Sequence, residues 1–163
     1  MKMIASADNN WAIGHGGSLL ARVSADMKFF KSKTIGNTVI LGRKTLLTFP
    51  NGRPLKERDN IIITHDMNFE AEGAEIVHST EELLQLIKNY DSERLFVIGG
   101  GTVYSQLLPY CDTAYITRFD KTFDADTYIE NLDKSEEWAL DEEEGPFEEN
   151  GLSYRFCTYK RVK

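Results

Sequence analysis

The sequence predicts an α/β fold: a mostly parallel central β-sheet with an antiparallel C-terminal edge and flanking helices. Three observations predict it. Short apolar runs, among them TVIL, NIIIT and LFVI, recur up to residue 98. Their centres are unbroken apolar residues, as in strands buried on both faces, and segments with helical start signals separate them. Beyond residue 113 the strand signals continue with no helix between them, which fits an antiparallel edge. A chain of 163 residues fits one domain, 1–163.

Residues 3–7 (MIASA) read as the first strand. Residues 8–23 lack a clear period and hold Gly14, Gly16 and Gly17, so they read as one long loop. A loop of that length in a compact domain is usually functional. Ser24 is positioned to cap a helix running to about Lys33. Residues 38–41 form a short strand, with a glycine turn at Gly42 and a helix from Arg43. Strands follow at 60–64 and 75–77, then a helix opened by Ser79-Thr80-Glu81-Glu82 and running through Lys88. Residues 95–98 end in Gly99, Gly100 and Gly101, and a helix begins at Thr102. Later strands are expected at 113–119, 123–128 and 152–159. The last alternates Leu152, Tyr154 and Phe156 with Ser153, Arg155 and Cys157, as a half-buried strand does.

Charge narrows the function. The net charge of −7 argues against a nucleic-acid partner. Residues 1–65 hold ten Lys/Arg against four Asp/Glu, a balance of +6; residues 66–163 hold nine against twenty-two, a balance of −13. The acidic run at 141–144, with Glu148 and Glu149, reads as solvated surface. The basic first half offers cations to an anionic small molecule. The N-terminal residues carry no apolar run of signal-peptide length, and no later segment approaches a membrane span, so a cytoplasmic protein is expected. Cys111 and Cys157 read as reduced core thiols. His15, His65 and His78 are too scattered for a metal site, and none is expected. Trp11, Tyr104 and Tyr115 read as core or pocket wall.

Four segments carry chemistry. At 97–104 a strand opens into a helix through three glycines, leaving backbone N–H groups bare for a phosphate or a flat ring. The spacing is not the G-x-G-x-x-G fingerprint, so the motif also fits a tight structural turn. Gly42-Arg43-Lys44-Thr45 places two cations and a hydroxyl at a helix start, which is either a phosphate cradle or a solvated basic turn. Thr64 and His65 follow another strand end. Ligands of open α/β sheets collect outside the carboxyl ends of the strands, so the turns at 42, 64 and 99 are expected on one edge. Asp26 lies in a first helical turn with Met27, Phe29 and Phe30. It either offsets the helix dipole or grips the amidine-like edge of a heterocycle. Arg58 is either surface or a partner for a substrate carboxylate.

These segments, taken in order, resemble the dihydrofolate reductase family over nearly the whole chain. MIASADNNWAIG resembles the family's first strand and the start of its mobile loop, and SADMKFFKSKT its substrate helix with the acid at Asp26. TVILGRKT is similar to its G-R-x-T cofactor segment. GRPLKERDNIIIT resembles R-P-L-x-x-R-x-N-I-I, with an apparent one-residue insertion near Pro50–Asn51. VIGGGTVYSQLLP resembles I-G-G-G-x-x-Y-x-x-x-L-P, and YITRFDKTFDADTYI matches a further stretch through Thr117 and Asp126.

The resemblance implies NADPH-dependent reduction of 7,8-dihydrofolate to tetrahydrofolate in one-carbon metabolism, by hydride transfer to pterin C6. Asp26, supported by Thr117, would anchor the pterin. Met27, Phe30, Phe49 and Leu55 would hold the pterin and benzoyl rings, and Arg58 the glutamate α-carboxylate. Ile4, Ala5, Ile98 and Tyr104 complete the substrate residues it implies. The nicotinamide would lie against Gly99 and Gly100. Arg43, Thr64 and His65 would bind the 2′-phosphate, and Thr45 with the amides of Gly100 to Val103 the pyrophosphate. Ser6, Ile13, Gly14, Gly42, Lys44, Gly101, Thr102, Tyr104 and Gln106 complete the cofactor residues. The N5 proton would come from water delivered under the loop at 13–20. Antifolates would compete for the pocket, and a monomer is expected.

The family's Pro-Trp pair is replaced by Leu20-Ala21, and Ser24 stands where its second Pro is expected. A looser loop, a wetter pocket and weaker antifolate binding are expected from the missing indole. Two rival readings share the cofactor site: a pyrimidine reductase of riboflavin synthesis, and an NADPH-binding relative with weakened turnover.

Overall fold

A computed structural model describes residues 1–163. The strands are β1 (Lys2–Ala7), β2 (Ala12–His15), β3 (Ser18–Leu19), β4 (Thr38–Gly42), β5 (Asp59–Ile63), β6 (Ala74–Val77), β7 (Leu95–Gly99), β8 (Thr113–Phe119), β9 (Thr127–Tyr128), β10 (Trp138–Glu149) and β11 (Leu152–Arg161). The α-helices are α1 (Ser24–Thr34), α2 (Arg43–Leu47), α3 (Thr80–Leu86) and α4 (Gly101–Leu107).

Eight strands form one sheet in the order β10-β11-β8-β1-β7-β4-β5-β6, and β3-β2-β9 form a small second sheet. From β8 to β6 every neighbouring pair is parallel. β11 runs antiparallel to β8, and β10 antiparallel to β11. The predicted mostly parallel sheet with an antiparallel C-terminal edge is therefore the observed one.

The continuous apolar runs are explained by burial on both sides. Met3, Ile40, Ile61, Ile63 and Val97 face one core cluster, which α3 and α4 cover with Leu83 and Leu107. Ile4, Val39, Leu41, Ile62, Phe96 and Ile98 face the other, which α1 and α2 cover with Phe29, Phe30 and Leu46. Successive residues of a strand point to opposite faces, so each run feeds both cores.

Six expectations are corrected. Residues 8–23 are not one loop: β2 and β3 form a hairpin through Gly14–Leu19 and His15–Ser18. Ser24 does not cap α1; it is the first helical residue, and Val23 holds the N-cap position with no side-chain hydrogen bond. The last α4 boundary shifts by one, with Gly101 already helical. α3 stops at Leu86, short of Lys88. Only 127–128 of the expected 123–128 strand pairs. The acidic stretch is solvated surface as expected, yet it is also part of a twelve-residue edge strand, β10. Residues 139–148 are all exposed, so neither face is buried and no alternation marks the strand. Pairing with β11 along its length supplies the order.

Candidate active site

β7, β4 and β5 are adjacent and parallel, so Gly99, Gly42 and Ile63 end on one edge of the sheet. The turns expected to gather do gather. At this edge the backbone is crowded in a way that only glycine permits. A Cβ on Gly42 would lie 3.1 Å from Val103 Cγ2. Cβ atoms on Gly99 and Gly100 would meet Thr45 Oγ1 at 3.5 and 3.2 Å, and Gly99 has φ +132°. On Gly101 a Cβ would stand 2.5 Å from Thr127 Cγ2, with Ile13 Cδ1 at 3.9 Å. The Gly99–Gly100 peptide is cis. The glycines thus form a close-packed backbone shelf, with Thr45 of α2 on one side and Ile13 and Thr127 of the small sheet on the other, and no side chain caps the start of α4. An anionic group fits at such a helix start, because its first N–H groups have no partner within the helix and no side-chain cap.

The carboxylate lies beside this shelf. Asp26 is the third residue of α1, and the Thr117 hydroxyl donates to its Oδ1 at 2.6 Å. Burial pushes the Asp26 carboxyl up from its ordinary value, and the Thr117 hydrogen bond offsets part of that rise. Tyr104 joins carboxylate and shelf. Its hydroxyl donates to Ile4 O at 2.7 Å and would sit 3.6 Å from a Cβ on Gly99. Burial, and then the Asp26 charge, push the Tyr104 phenol up, so it stays a neutral donor.

Ile4, Phe30, Phe49, Leu55 and Ile98 share one apolar cluster, on the face of the sheet that α1, the helix of Asp26, covers. Met27 is 53% exposed and stands at the rim, outside that cluster. Ser6 lies opposite Thr117 in the β1–β8 register, and Ala5 packs on the other core. Arg58 is pinned: its Nε donates to Lys56 O at 2.9 Å and its Nη1 to Thr34 Oγ1 at 3.1 Å. That leaves N–H groups of the fork free beside the C-terminal end of α1.

At the basic rim, Arg43 is half-buried and Lys44 exposed, and neither makes an ion pair. Thr64 Oγ1 accepts the Asp66 N–H at 3.1 Å, and His65 is exposed. Thr102 is exposed. Gln106 turns toward α3, where its Nε2 donates to Thr80 Oγ1 at 2.6 Å. Cavities elsewhere include one of about 120 Å³ behind Tyr104 and one of about 170 Å³ between Lys33 and Glu142.

Two contributors carried no role in the sequence reading. Asp126 fastens the hairpin: its Oδ2 accepts the Gly16 N–H at 2.8 Å, its Oδ1 the Thr127 hydroxyl at 2.8 Å, and its own N–H donates to Gly14 O at 3.1 Å. The Gly16 N–H first, and the Thr127 hydroxyl next, hold the Asp126 carboxyl below its ordinary value. His78 Nδ1 lies 3.0 Å from Thr64 O, beside the expected phosphate residues. A bare Asp-Thr pair or a lone His gives no such signal in sequence, because both contacts join distant segments.

A glycine shelf at the carboxyl edge of a parallel sheet, beside one partly buried carboxylate, is the ligand site of a nucleotide-binding α/β protein. A family model described as dihydrofolate reductase matches residues 1–161, and the chain belongs to that family. Dihydrofolate reductase of Staphylococcus haemolyticus is 35% identical, covering 100% of this chain and 96% of that protein. The Bacillus subtilis enzyme is 33% identical, over 99% and 94%. Dihydrofolate reductase from Enterococcus faecalis, solved in complex with NADP(H) and RAB-propyl, superposes with a TM-score of 0.86 at 33% identity, over 99% of this chain and 96% of that one.

Proposed function

We infer that this chain reduces 7,8-dihydrofolate to 5,6,7,8-tetrahydrofolate with NADPH. The observation that carries the reading is the junction at Tyr104, which touches Ile4 beneath the Asp26 pocket and borders Gly99 of the shelf. One flat ring held by Asp26 and a second on the shelf are neighbours in such a site.

NADPH, when bound, supplies the hydride. Gly99, Gly100, Gly101 and Thr45 would hold its diphosphate and nicotinamide half, and Arg43, Thr64 and His65 its 2′-phosphate. Asp26 accepts hydrogen bonds from the pterin 2-amino group and ring N–H, in two parallel bonds. Thr117 holds the carboxylate in that pose. Phe30, Phe49 and Leu55 exclude water from the ring faces, and Arg58 takes the α-carboxylate. Asp26 grips the edge away from N5, so the N5 proton comes from water admitted under the 13–20 hairpin, which Asp126 secures.

The reading extends to a cytoplasmic monomer, one domain over 1–163, whose partners are folate-like small molecules and antifolates rather than nucleic acid or membrane. No helix is long and apolar enough to cross a membrane. The acidic edge strand β10 supports the monomer, because a second copy pairing there would meet like charge.

Loss of NADPH absorbance on adding dihydrofolate tests the reaction. NADPH is expected to serve far better than NADH, and an antifolate to stop turnover. Oxidation that ignores dihydrofolate would overturn the assignment.

A further inference from the structure

We propose that Glu149 is a positioning residue for the substrate. From the end of β10 it holds the N-terminus of α1, and with it Asp26. The proposal rests on Asp26 being the pterin anchor.

The first N–H groups of a helix have no partner within it and need an outside acceptor, normally the side chain at the N-cap. Here that position is Val23, which has no acceptor. Its side chain is 3% exposed and wedged with Phe119 and Tyr154, with Ala21, Ala25 and Leu152 around them. The N-cap residue is therefore committed to packing. The acceptor comes instead from the hairpin into which it wedges: the Ser24 N–H donates to Glu149 Oε2 at 2.8 Å, across 125 residues of sequence. The contact also places a negative charge at the positive end of the helix dipole.

Asp26 lies two residues further on, within the turn that frays if this end is released. Thr117 fixes the carboxylate sideways, by a 2.6 Å bond from β8. Glu149 fixes the same turn along the helix axis. The need for it traces to position 24. Proline there would present no N–H and would preset the first helical φ. Serine presents an N–H, and Glu149 takes it.

The test is steady-state kinetics on wild type, E149A, E149Q, S24P and the S24P/E149A double variant. E149A is expected to raise KM for dihydrofolate about fivefold, the loss typical of one helix cap, with KM for NADPH unchanged. E149Q keeps an acceptor oxygen and is expected to restore most of the difference. In the S24P background, E149A is expected to be silent, since the N–H it serves is gone. An active E149A enzyme with unchanged KM for dihydrofolate overturns the role alone. So does an equal rise in both KM values, an E149Q as impaired as E149A, or an undiminished effect in S24P. A wild-type enzyme that leaves dihydrofolate untouched overturns the reaction and this role together.

Discussion

Asp26 is placed where it costs stability. Its ordinary carboxyl value is raised by burial, and the Thr117 bond only partly compensates. A carboxyl raised in the folded state gives no penalty in strong acid, where folded and unfolded chains are both protonated. The penalty grows as pH climbs from the ordinary aspartate value through the raised one, and above that it is complete. Asp26→Asn keeps an oxygen for Thr117 and removes the buried charge. At pH 7 it is expected to raise Tm. The gain should vanish in acid below the ordinary aspartate value. Turnover should fall on the order of 10²-fold or more, with NADPH affinity unchanged. Scanning calorimetry at two pH values, with kcat and a cofactor titration, checks all three. A carboxylate beside Phe29 and Phe30 was legible in the sequence because helical spacing alone puts them together, whereas Met27 stands exposed at the rim. Its Thr117 partner, 91 residues away, came only through the family resemblance.

At the scale of elements, what sequence reveals depends on local pattern. The strands buried on both faces and the glycine shelf were legible, since unbroken apolar runs and glycine at a strand end are local signals. β10 was not: its order comes from β11, and its composition is that of solvated surface. The β2–β3 hairpin was hidden for the same reason. Its two- and four-residue strands are held by Asp126 and β9, elements more than 100 residues away. That dependence makes Asp126 the element's weak point. Its depressed carboxyl value means the anchor is fully charged above the ordinary aspartate range and is lost only as pH falls through the lowered one. Hairpin docking is therefore expected to be flat between about pH 5 and pH 8. Asp126→Ala should slow turnover several-fold across that whole range, as loss of loop closure does, and should speed proteolytic cutting at 15–20. Stopped-flow hydride transfer and limited proteolysis read the two effects. Wild-type proteolysis that varies strongly over the same pH range would contradict the anchor's role.

For the whole molecule, net charge and local charge make opposite predictions about the dinucleotide. A protein of charge −7 repels an anion, so added salt should screen that repulsion and strengthen binding. The fold separates the charges, however. Arg43 and Lys44 begin α2 at the end of β4, with no carboxylate paired to either. The acidic run occupies β10, five strands away in the sheet order, which at ~4.8 Å per strand is about 24 Å. The Debye length is about 10 Å at 0.1 M salt. The distant carboxylates are then screened before the nearby cations are. NADPH affinity is accordingly expected to fall steadily as salt rises from about 20 mM to about 300 mM, over which screening shortens from roughly 20 Å to roughly 6 Å. Nicotinamide fluorescence titration measures it. Arg43→Ala should flatten the slope as well as weaken binding, because it removes one of the charges that salt competes with. Affinity that instead climbs with salt would mean the acidic edge governs the field, and that the basic first half of the chain does not act on the shelf.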